Sequence, residues 1–375
     1  MMNIPHSIVA KIGTILFGIY SMLGWNIHYQ SPLGIQAPPT EIVASSTPPT
    51  VKKEDKPTIA RNTTQLPYLK IIAPEFKQLP VKEIKNLTTT PTPQPVTTPP
   101  LTTNQNNDFV VNIFCTIRND GNTIEYVTGS GAIIDPKGVI ITNSHVAQYV
   151  LLADYLNDSN RNCVARTGSP AKNTYNIKVM YISSAWIKNN IKTISEAAPQ
   201  GTGQSDYAFL YITGYSDKTQ PSSYPYMSIS TDNLNVGDQL KVYGYPAGAA
   251  SGNYVKNSLS KVTDTTTVSN IYDFSGDSTT DLIIAHSDTI AERGSSGGPI
   301  IENNSIQGII TTSLQDGSGG KSFSAITGEY INRDLQNEAG VSLSSLLIGD
   351  LNKKSASFEN STGFSLARDL ISNNP

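Results

Sequence analysis

Charged side chains are scarce in this chain of 375 residues, with Asp, Glu, Lys and Arg together making up only 15% of it. The formal net charge at pH 7 is −3, so the chain lacks the basic excess that a polyanionic partner requires. We therefore expect no nucleic-acid partner. The polar residues are mostly Asn, Ser and Thr, a composition that favours a protein working outside the cytoplasm.

Cysteine and histidine are also scarce, with 2 and 4 residues respectively. The spacing of Cys115 and Cys163 fits no metal-binding motif, and we expect neither a metal site nor a cofactor. In an oxidising compartment the two cysteines would form a disulfide, and closing a loop of about 50 residues would stabilise the fold by about 4 kcal/mol. The alternative is a pair of buried thiols that act as small hydrophobic side chains.

One apolar run near the N-terminus, Ile12–Ile27, is a candidate membrane segment. It is shorter than the roughly 20 residues of a full span, but Ile8 and Val9 extend it and the Lys11 side chain can reach the interface. We interpret residues 1–30 as an uncleaved signal anchor that leaves the rest of the chain outside the cytoplasmic membrane. The alternatives are a signal peptide whose cleavage would release a secreted protein, and a buried core helix.

Residues 31–107 are rich in proline and threonine, holding 14 of the 23 prolines of the chain. Proline without periodic apolar residues cannot build a core and favours extended chain. We therefore predict a disordered tether between the anchor and a folded domain. The apolar stretch Leu66–Ile72 interrupts it, and could be a docking segment or merely an apolar patch in a linker.

Glycines flank one serine in the stretch Glu292–Pro299, which reads E-R-G-S-S-G-G-P. They let the backbone turn tightly and bring two N–H groups toward whatever the Ser296 hydroxyl attacks. Ser296 is thus a candidate nucleophile, and such a serine needs a base and a group that orients the base.

His145 is the best candidate for the base, because it follows a β-branched run that ends in small polar residues. We expect a short loop to present its imidazole to a cleft. Asp206 is the best candidate for the orienting carboxylate, because it abuts the apolar run Y-A-F-L and should be partly buried beside a strand. Asp154 and Asp158 also follow His145 and are alternatives to Asp206.

Three motifs of this chain resemble those of a known protein family: T-x-x-H-V at His145, S-D-Y-A-F-L at Asp206 and G-S-S-G-G-P at Ser296. In this chain order they resemble the trypsin/chymotrypsin-fold serine peptidases, and most of all the bacterial HtrA/Deg-like branch. The resemblance covers roughly residues 108–330. Shorter matches lie at G-S-G (129–131), V-G-D (236–238), V-Y-G-Y-P-A-G (242–248) and F-S-A-I (323–326).

The resemblance implies a serine endopeptidase that acts on protein or peptide substrates. Ser296 would be the nucleophile, His145 the general base and Asp206 the orienting carboxylate, while the N–H groups of Gly294 and Ser296 would form the oxyanion hole. The alternative is a catalytically silent protein of the same fold that acts as a scaffold at the cell surface. An esterase is disfavoured, because esterase triads normally place serine before histidine in the chain.

Two further expectations concern specificity and activation. By family register the specificity pocket would involve Ile290, Ile310 and Thr311, none of which supplies a carboxylate for a Lys or Arg side chain. We therefore predict a preference for small or apolar side chains. The residue before the nucleophile is Ser295 rather than an acid, which argues against activation by insertion of a new N-terminus.

Short β-rich runs separated by turns begin at Phe109 and indicate an all-β domain. The resemblance implies two six-stranded antiparallel barrels over residues 108–330, with His145 and Asp206 on the first and Ser296 on the second. Asn119–Asn122 and Asp135–Gly138 are turn signals. Further runs at Tyr126–Ile134, Val139–Thr142, Ile177–Ile182, Tyr207–Ile212, Gln239–Tyr245, Asp281–Ala285 and Ile306–Thr312 are the other predicted strands.

The pattern becomes helical after about residue 327, where Thr327 can cap a helix. We predict that residues 331–375 form a helical extension, too short for the PDZ domain usual in the HtrA-like branch. It should pack on the barrels, although a separate binding module is the alternative. The sequence leaves the oligomeric state open.

Overall fold

The computed structural model describes residues 108–372, apart from 120–122, 157–159, 192–201, 216–220, 277 and 316–319. The predicted anchor (1–30), the predicted tether (31–107) and most of the predicted turn at Asn119–Asn122 lie outside the described residues. Within the part of the chain that is described, no helix is long and apolar enough to cross a membrane.

The first barrel is closed, with its strands hydrogen-bonded in the order β1-β2-β3-β6-β5-β4 and every pairing antiparallel. Its inner face is apolar, and Ile113, Ile133 and Ile140 are among the largest fully buried side chains. The strands are β1 Val110–Asn119, β2 Thr123–Asp135, β3 Val139–Thr142, β4 Arg161–Thr167, β5 Asn173–Ile182 and β6 Ala208–Tyr215.

The second barrel is also closed and antiparallel, in the order β10-β11-β12-β9-β8-β7. Leu240, Val242, Ile283 and Phe323 pack in its core. The strands are β7 Gln239–Gly244, β8 Val262–Tyr272, β9 Leu282–His286, β10 Pro299–Glu302, β11 Ser305–Gln315 and β12 Lys321–Thr327. Two antiparallel barrels of six strands, predicted above, are confirmed.

The predicted turn between β2 and β3 is present at Asp135–Gly138. The Gly138 N–H donates to the Asp135 carbonyl at 2.9 Å, and the Lys137 N–H donates to Asp135 Oδ1 at 2.8 Å. Gly138 has a φ of 89°, which glycine adopts without the clash of a Cβ atom. The strands β4, β8 and β10 were not among the predicted runs, because they are short or rich in Thr and Asn.

The expectation of a loop at His145 is wrong, because helix α1, Ser144–Leu156, begins one residue earlier. The Asn143 carbonyl accepts the N–H groups of Val146 and Ala147, which starts the helix directly after β3. Two short helices lie in the connections between barrel strands. Helix α2, Ser184–Asn190, joins β5 to β6, and helix α3, Gly252–Asn257, joins β7 to β8.

The C-terminal part of the chain is helical, as predicted. Thr327 caps its first helix by accepting the Tyr330 N–H at 3.1 Å. The last helices pack on the first barrel, where the Ser355 hydroxyl donates to the Val179 carbonyl at 2.6 Å and Tyr211 Oη donates to Asn352 Oδ1 at 2.7 Å. The helices are α4 Gly328–Ala339, α5 Leu343–Leu347, α6 Leu351–Phe358, a π-helical turn Glu359–Gly363 and α7 Phe364–Ser372.

Cys115 and Cys163 form a disulfide in the first barrel. They lie directly opposite each other on β1 and β4, with their Cα atoms 4.1 Å apart. The bond therefore joins two strands that already pair through their backbones.

Candidate active site

His145 and Asp206 are paired in the first barrel. His145 Nδ1 lies 2.7 Å from Asp206 Oδ2, and the His145 backbone N–H donates to Oδ1 at 3.0 Å. Asp206 is 4% exposed, so its carboxylate is held by these donors rather than by bulk water. When Nδ1 carries the proton, Nε2 has a free lone pair and can accept a proton from a nucleophile.

The backbone around Asp206 is fixed from several directions. Asn143 Nδ2 donates to the Asp206 carbonyl at 2.8 Å, and the Asp206 N–H donates to the Gly203 carbonyl at 3.2 Å. Ser205 has a left-handed φ of 56°, and its N–H donates to Tyr330 Oη on α4 at 2.9 Å. A helix beyond the last barrel strand thus supports the turn that presents the carboxylate.

Of the two alternative carboxylates, Asp154 lies elsewhere on α1. Its Oδ2 accepts the Val179 N–H at 3.5 Å, and burial raises the pKa of Asp154 to about 6. Asp158 lies outside the described residues. Asp206 is therefore the carboxylate that the described fold places against His145.

Ser296 lies in the loop between β9 and β10, which is bonded to both barrels. The Ser130 N–H on β2 donates to the Ser296 carbonyl at 2.7 Å, and the Gly297 N–H donates to the Ile310 carbonyl at 2.8 Å. The Ser296 hydroxyl itself donates to the Thr311 carbonyl at 3.4 Å. The backbone of the serine is thereby fixed, while its hydroxyl makes a long hydrogen bond that is easily exchanged.

Two backbone amides of this loop lack a hydrogen-bond partner in the described part of the chain. Within the described residues, the N–H groups of Gly294 and Ser296 make no hydrogen bond. The carbonyl of Arg293 accepts the N–H groups of Ala247 at 2.7 Å and Gly248 at 3.1 Å. Because C=O and N–H point in opposite directions across a planar trans peptide, the Gly294 N–H points away from these donors.

The loop requires glycine at two positions. Gly294 has a φ of 95°, and a Cβ atom there would lie 2.6 Å from the Tyr245 carbonyl oxygen. Gly297 has a φ of 85°, and its Cβ would collide with the Ser130 carbonyl oxygen. The glycines predicted to shape this loop thus also allow its close approach to β2 and β7.

Ser130 connects the loop to the first barrel and was not singled out as a site residue from the sequence. Its buried hydroxyl donates to the Gly294 carbonyl at 2.7 Å and accepts the Tyr245 N–H at 2.9 Å. Its carbonyl accepts the Thr142 hydroxyl at 2.7 Å, three residues before His145. The G-S-G match at 129–131 marked this position, but only the fold shows which groups the serine joins.

The three residues expected at the specificity pocket lie inside the second barrel. Ile290 and Ile310 are 0% and 1% exposed and belong to its hydrophobic core. The Thr311 hydroxyl bonds to Ser324 Oγ at 2.9 Å. Their part in substrate selection stays a prediction. No cluster of three or more His, Cys, Asp or Glu side chains with metal-binding geometry occurs among the described residues.

Two closed antiparallel barrels, with a His–Asp pair on one and a glycine-flanked serine loop on the other, define a chymotrypsin-like fold. The sequence model of the trypsin-like peptidase domain matches residues 129–308. The match and the two barrels support a trypsin-like peptidase domain, and with it a hydrolase of the serine protease type. The match begins within β2 and ends within β11, so both barrels extend beyond it. No curated protein matches the chain.

Proposed function

We propose that the protein is a serine endopeptidase that hydrolyses peptide bonds through an acyl-enzyme, with Ser296, His145 and Asp206 as its triad. The observation that carries the proposal is the 2.7 Å contact between His145 Nδ1 and the buried Asp206 carboxylate. With Nδ1 held against the carboxylate, the other imidazole nitrogen would be free to act as a base for a serine in the same domain.

In the proposed reaction the Ser296 hydroxyl rotates from the Thr311 carbonyl toward His145 Nε2. It attacks the substrate carbonyl while His145 takes its proton, and Asp206 stabilises the imidazolium. His145 then returns the proton to the leaving amine, which departs as the C–N bond breaks. Water attacks the resulting ester by the same steps in reverse and regenerates the serine.

The N–H groups of Gly294 and Ser296 would stabilise the tetrahedral oxyanion. Their availability supports this role, because a donor that is already engaged would have to break a bond during the reaction. Losing one such donor typically lowers the rate by about 10²–10³. The rate should therefore depend on the orientation of the peptide between Arg293 and Gly294.

The proposed substrates are proteins or peptides with a small or apolar side chain on the acyl side of the cut bond. None of Ile290, Ile310 and Thr311 supplies a carboxylate for a Lys or Arg side chain, which supports this choice. A peptide library that varies this position tests it, and efficient cleavage only after Arg or Lys would contradict it.

We also propose that the enzyme is anchored by residues 1–30, with its barrels outside the cytoplasmic membrane. The apolar run Ile12–Ile27 and the disulfide between Cys115 and Cys163 support an extracytoplasmic setting. The motif matches further support kinship with the HtrA/Deg-like branch. Fractionation of cells that express a tagged full chain tests the anchor, since a protein released from the membrane by salt alone would contradict it.

Labelling of the full chain with a fluorophosphonate probe tests the chemistry, because only an activated serine reacts rapidly. We expect Ser296→Ala and His145→Ala to abolish labelling, and Asp206→Asn to slow it by about 10⁴. The matched controls are Ser269→Ala and His286→Ala, which alter an exposed serine and an exposed histidine. A folded wild-type chain that does not label would favour the silent scaffold instead.

A further inference from the structure

Arg166 on β4 is a buried cation with an unusual set of partners. It is 5% exposed, and no carboxylate lies within ion-pair distance of it in the described part of the chain. Its guanidinium stacks over the Phe114 ring, 4.0 Å from the ring centroid. Burial lowers the pKa of Arg166 to about 10, so the side chain still carries its charge at neutral pH. A buried charge held without an anion needs strong hydrogen bonds.

One edge of the guanidinium is fixed by the first barrel. Asn112 Oδ1 accepts Arg166 Nε at 3.0 Å and Nη2 at 2.6 Å. Asn112 is itself oriented, because its Nδ2 donates to Thr128 Oγ1 at 2.6 Å and to the Gly129 carbonyl at 2.8 Å. The guanidinium plane therefore has one orientation relative to β1 and β2.

The other edge of the guanidinium binds the C-terminal end of α3. Nη1 donates to the Lys256 carbonyl at 2.7 Å, and Nη2 donates to the Val255 carbonyl at 2.9 Å. The last carbonyls of a helix have no partner inside it, and a cation there interacts favourably with the helix dipole. Arg166 thus ties a helix of the β7–β8 connection to the wall of the first barrel.

The same connection holds the peptide that precedes Gly294. The N–H groups of Ala247 and Gly248 both donate to the Arg293 carbonyl, and the Ala250 N–H donates back to the Ala247 carbonyl at 2.9 Å. Ser251 then caps α3 by accepting the Tyr254 N–H at 3.3 Å. Only a few residues therefore separate the helix that Arg166 holds from the donors that fix the Arg293 carbonyl.

The orientation of this peptide decides whether the Gly294 N–H is available. If the peptide rotated by half a turn, the Arg293 carbonyl would replace the Gly294 N–H at the candidate oxyanion hole. Glycine has no Cβ atom to oppose such a rotation, so bonds from outside the loop must set the orientation. The bonds from Ala247 and Gly248 do so in this structure.

We propose that Arg166 is a positioning residue that keeps the oxyanion hole open, through α3 and the amides of Ala247 and Gly248. The inference rests on the proposed peptidase function for its effect on rate, but not for its effect on the loop. Without the guanidinium, the C-terminal end of α3 loses its hydrogen bonds to β4, the two amides move away, and the Arg293 carbonyl is free to turn inward.

The experiment compares Arg166→Ala and Arg166→Lys with the wild-type full chain by two readouts. The first is hydrogen exchange at the amides of Ala247 and Gly248, which needs no activity. The second is the rate of fluorophosphonate labelling together with kcat and KM on a cleavable peptide. We expect Arg166→Ala to raise exchange at both amides at least tenfold. It should also lower kcat at least tenfold while KM changes less than twofold, because the oxyanion hole acts in the transition state.

Rescue and control variants separate positioning from general loss of structure. Arg166→Lys keeps the charge but not the planar fork, so its effects should be intermediate, and added guanidinium ion should restore part of the rate of Arg166→Ala. Arg161→Ala removes another buried arginine from the far end of β4 and should leave exchange at Ala247 and Gly248 unchanged. Should Arg166→Ala fail to fold, Arg166→Lys provides the same comparison.

Wild-type protection of both amides in the folded Arg166 variants would overturn the inference. Lost protection with unchanged kcat would overturn its catalytic part. If the wild-type chain is folded but does not label, the proposed function fails, and the exchange comparison still decides whether Arg166 positions the loop.

Discussion

Replacing Ser130 by alanine should destabilise the fold and slow the candidate active site at the same time. The Ser130 hydroxyl is buried and serves two backbone groups, donating to the Gly294 carbonyl and accepting the Tyr245 N–H. Alanine can do neither, and both backbone groups lie in buried residues. Each buried polar group left without a partner costs about 1–3 kcal/mol. We therefore expect Ser130→Ala to lower the free energy of unfolding by about 2–6 kcal/mol.

Urea unfolding of the full chain, followed by tryptophan fluorescence, measures this loss as a lower midpoint at an unchanged slope. The control is Ser269→Ala, because that exposed serine donates to the Ile284 carbonyl at 2.9 Å and its loss should change the free energy by less than about 0.5 kcal/mol. Fluorophosphonate labelling below the midpoint should be at least tenfold slower in Ser130→Ala. A loss below about 0.5 kcal/mol with unchanged labelling would refute the assignment of Ser130 as the link between the barrels.

Two other substitutions test supporting contacts. Burial raises the pKa of Asp154 to about 6, with Lys178 lowering it and Glu359 raising it. The fold therefore favours the protonated carboxyl of Asp154. Its contribution to the free energy of unfolding is present below about pH 4 and is lost as the pH rises through 6. Asp154→Asn should then stabilise the fold by about 1–3 kcal/mol at pH 7.5 and by nothing at pH 4; equal unfolding midpoints at pH 7.5 would contradict this. Tyr330→Phe removes the acceptor of the Ser205 N–H and should cost about 1–3 kcal/mol, with slower labelling; wild-type values in both would refute it.

The residues of the candidate site were accessible from sequence because their signals are local. Glycines flank Ser296, an apolar run follows Asp206, and β-branched residues precede His145 within a few positions. Short-range patterns of this kind report backbone conformation and burial directly. The fold class was accessible for the same reason, since most strands are continuous runs of β-branched and aromatic residues.

Helix α1 and strand β8 were not predicted from the sequence, for opposite reasons. In α1 nearly every side chain from Val146 to Leu152 is buried, so no polar stripe repeats at the helical period. In β8 the run T-D-T-T-T-V is largely polar because its outer side chains face solvent, and it is rich in residues that also favour turns. Periodicity alone separates neither case from a loop or a buried strand.

The supporting contacts could not be predicted because they join distant parts of the chain. Ser130 and Gly294 are separated by 164 positions, and Arg166 meets carbonyls about 90 positions away. No local pattern distinguishes a serine that bridges two barrels from one that faces water. Their roles follow only from the docking of the barrels.

The contact between Tyr330 and Ser205 has a consequence for the order in which the molecule is made. Synthesis runs from the N-terminus, so the His145–Asp206 half emerges from the ribosome before the loop that carries Ser296. Helix α4, which supports the turn at Ser205, emerges later still. A growing chain therefore carries no complete candidate site, and an enzyme of the proposed kind would be inactive during its own synthesis until helix α4 had been translated.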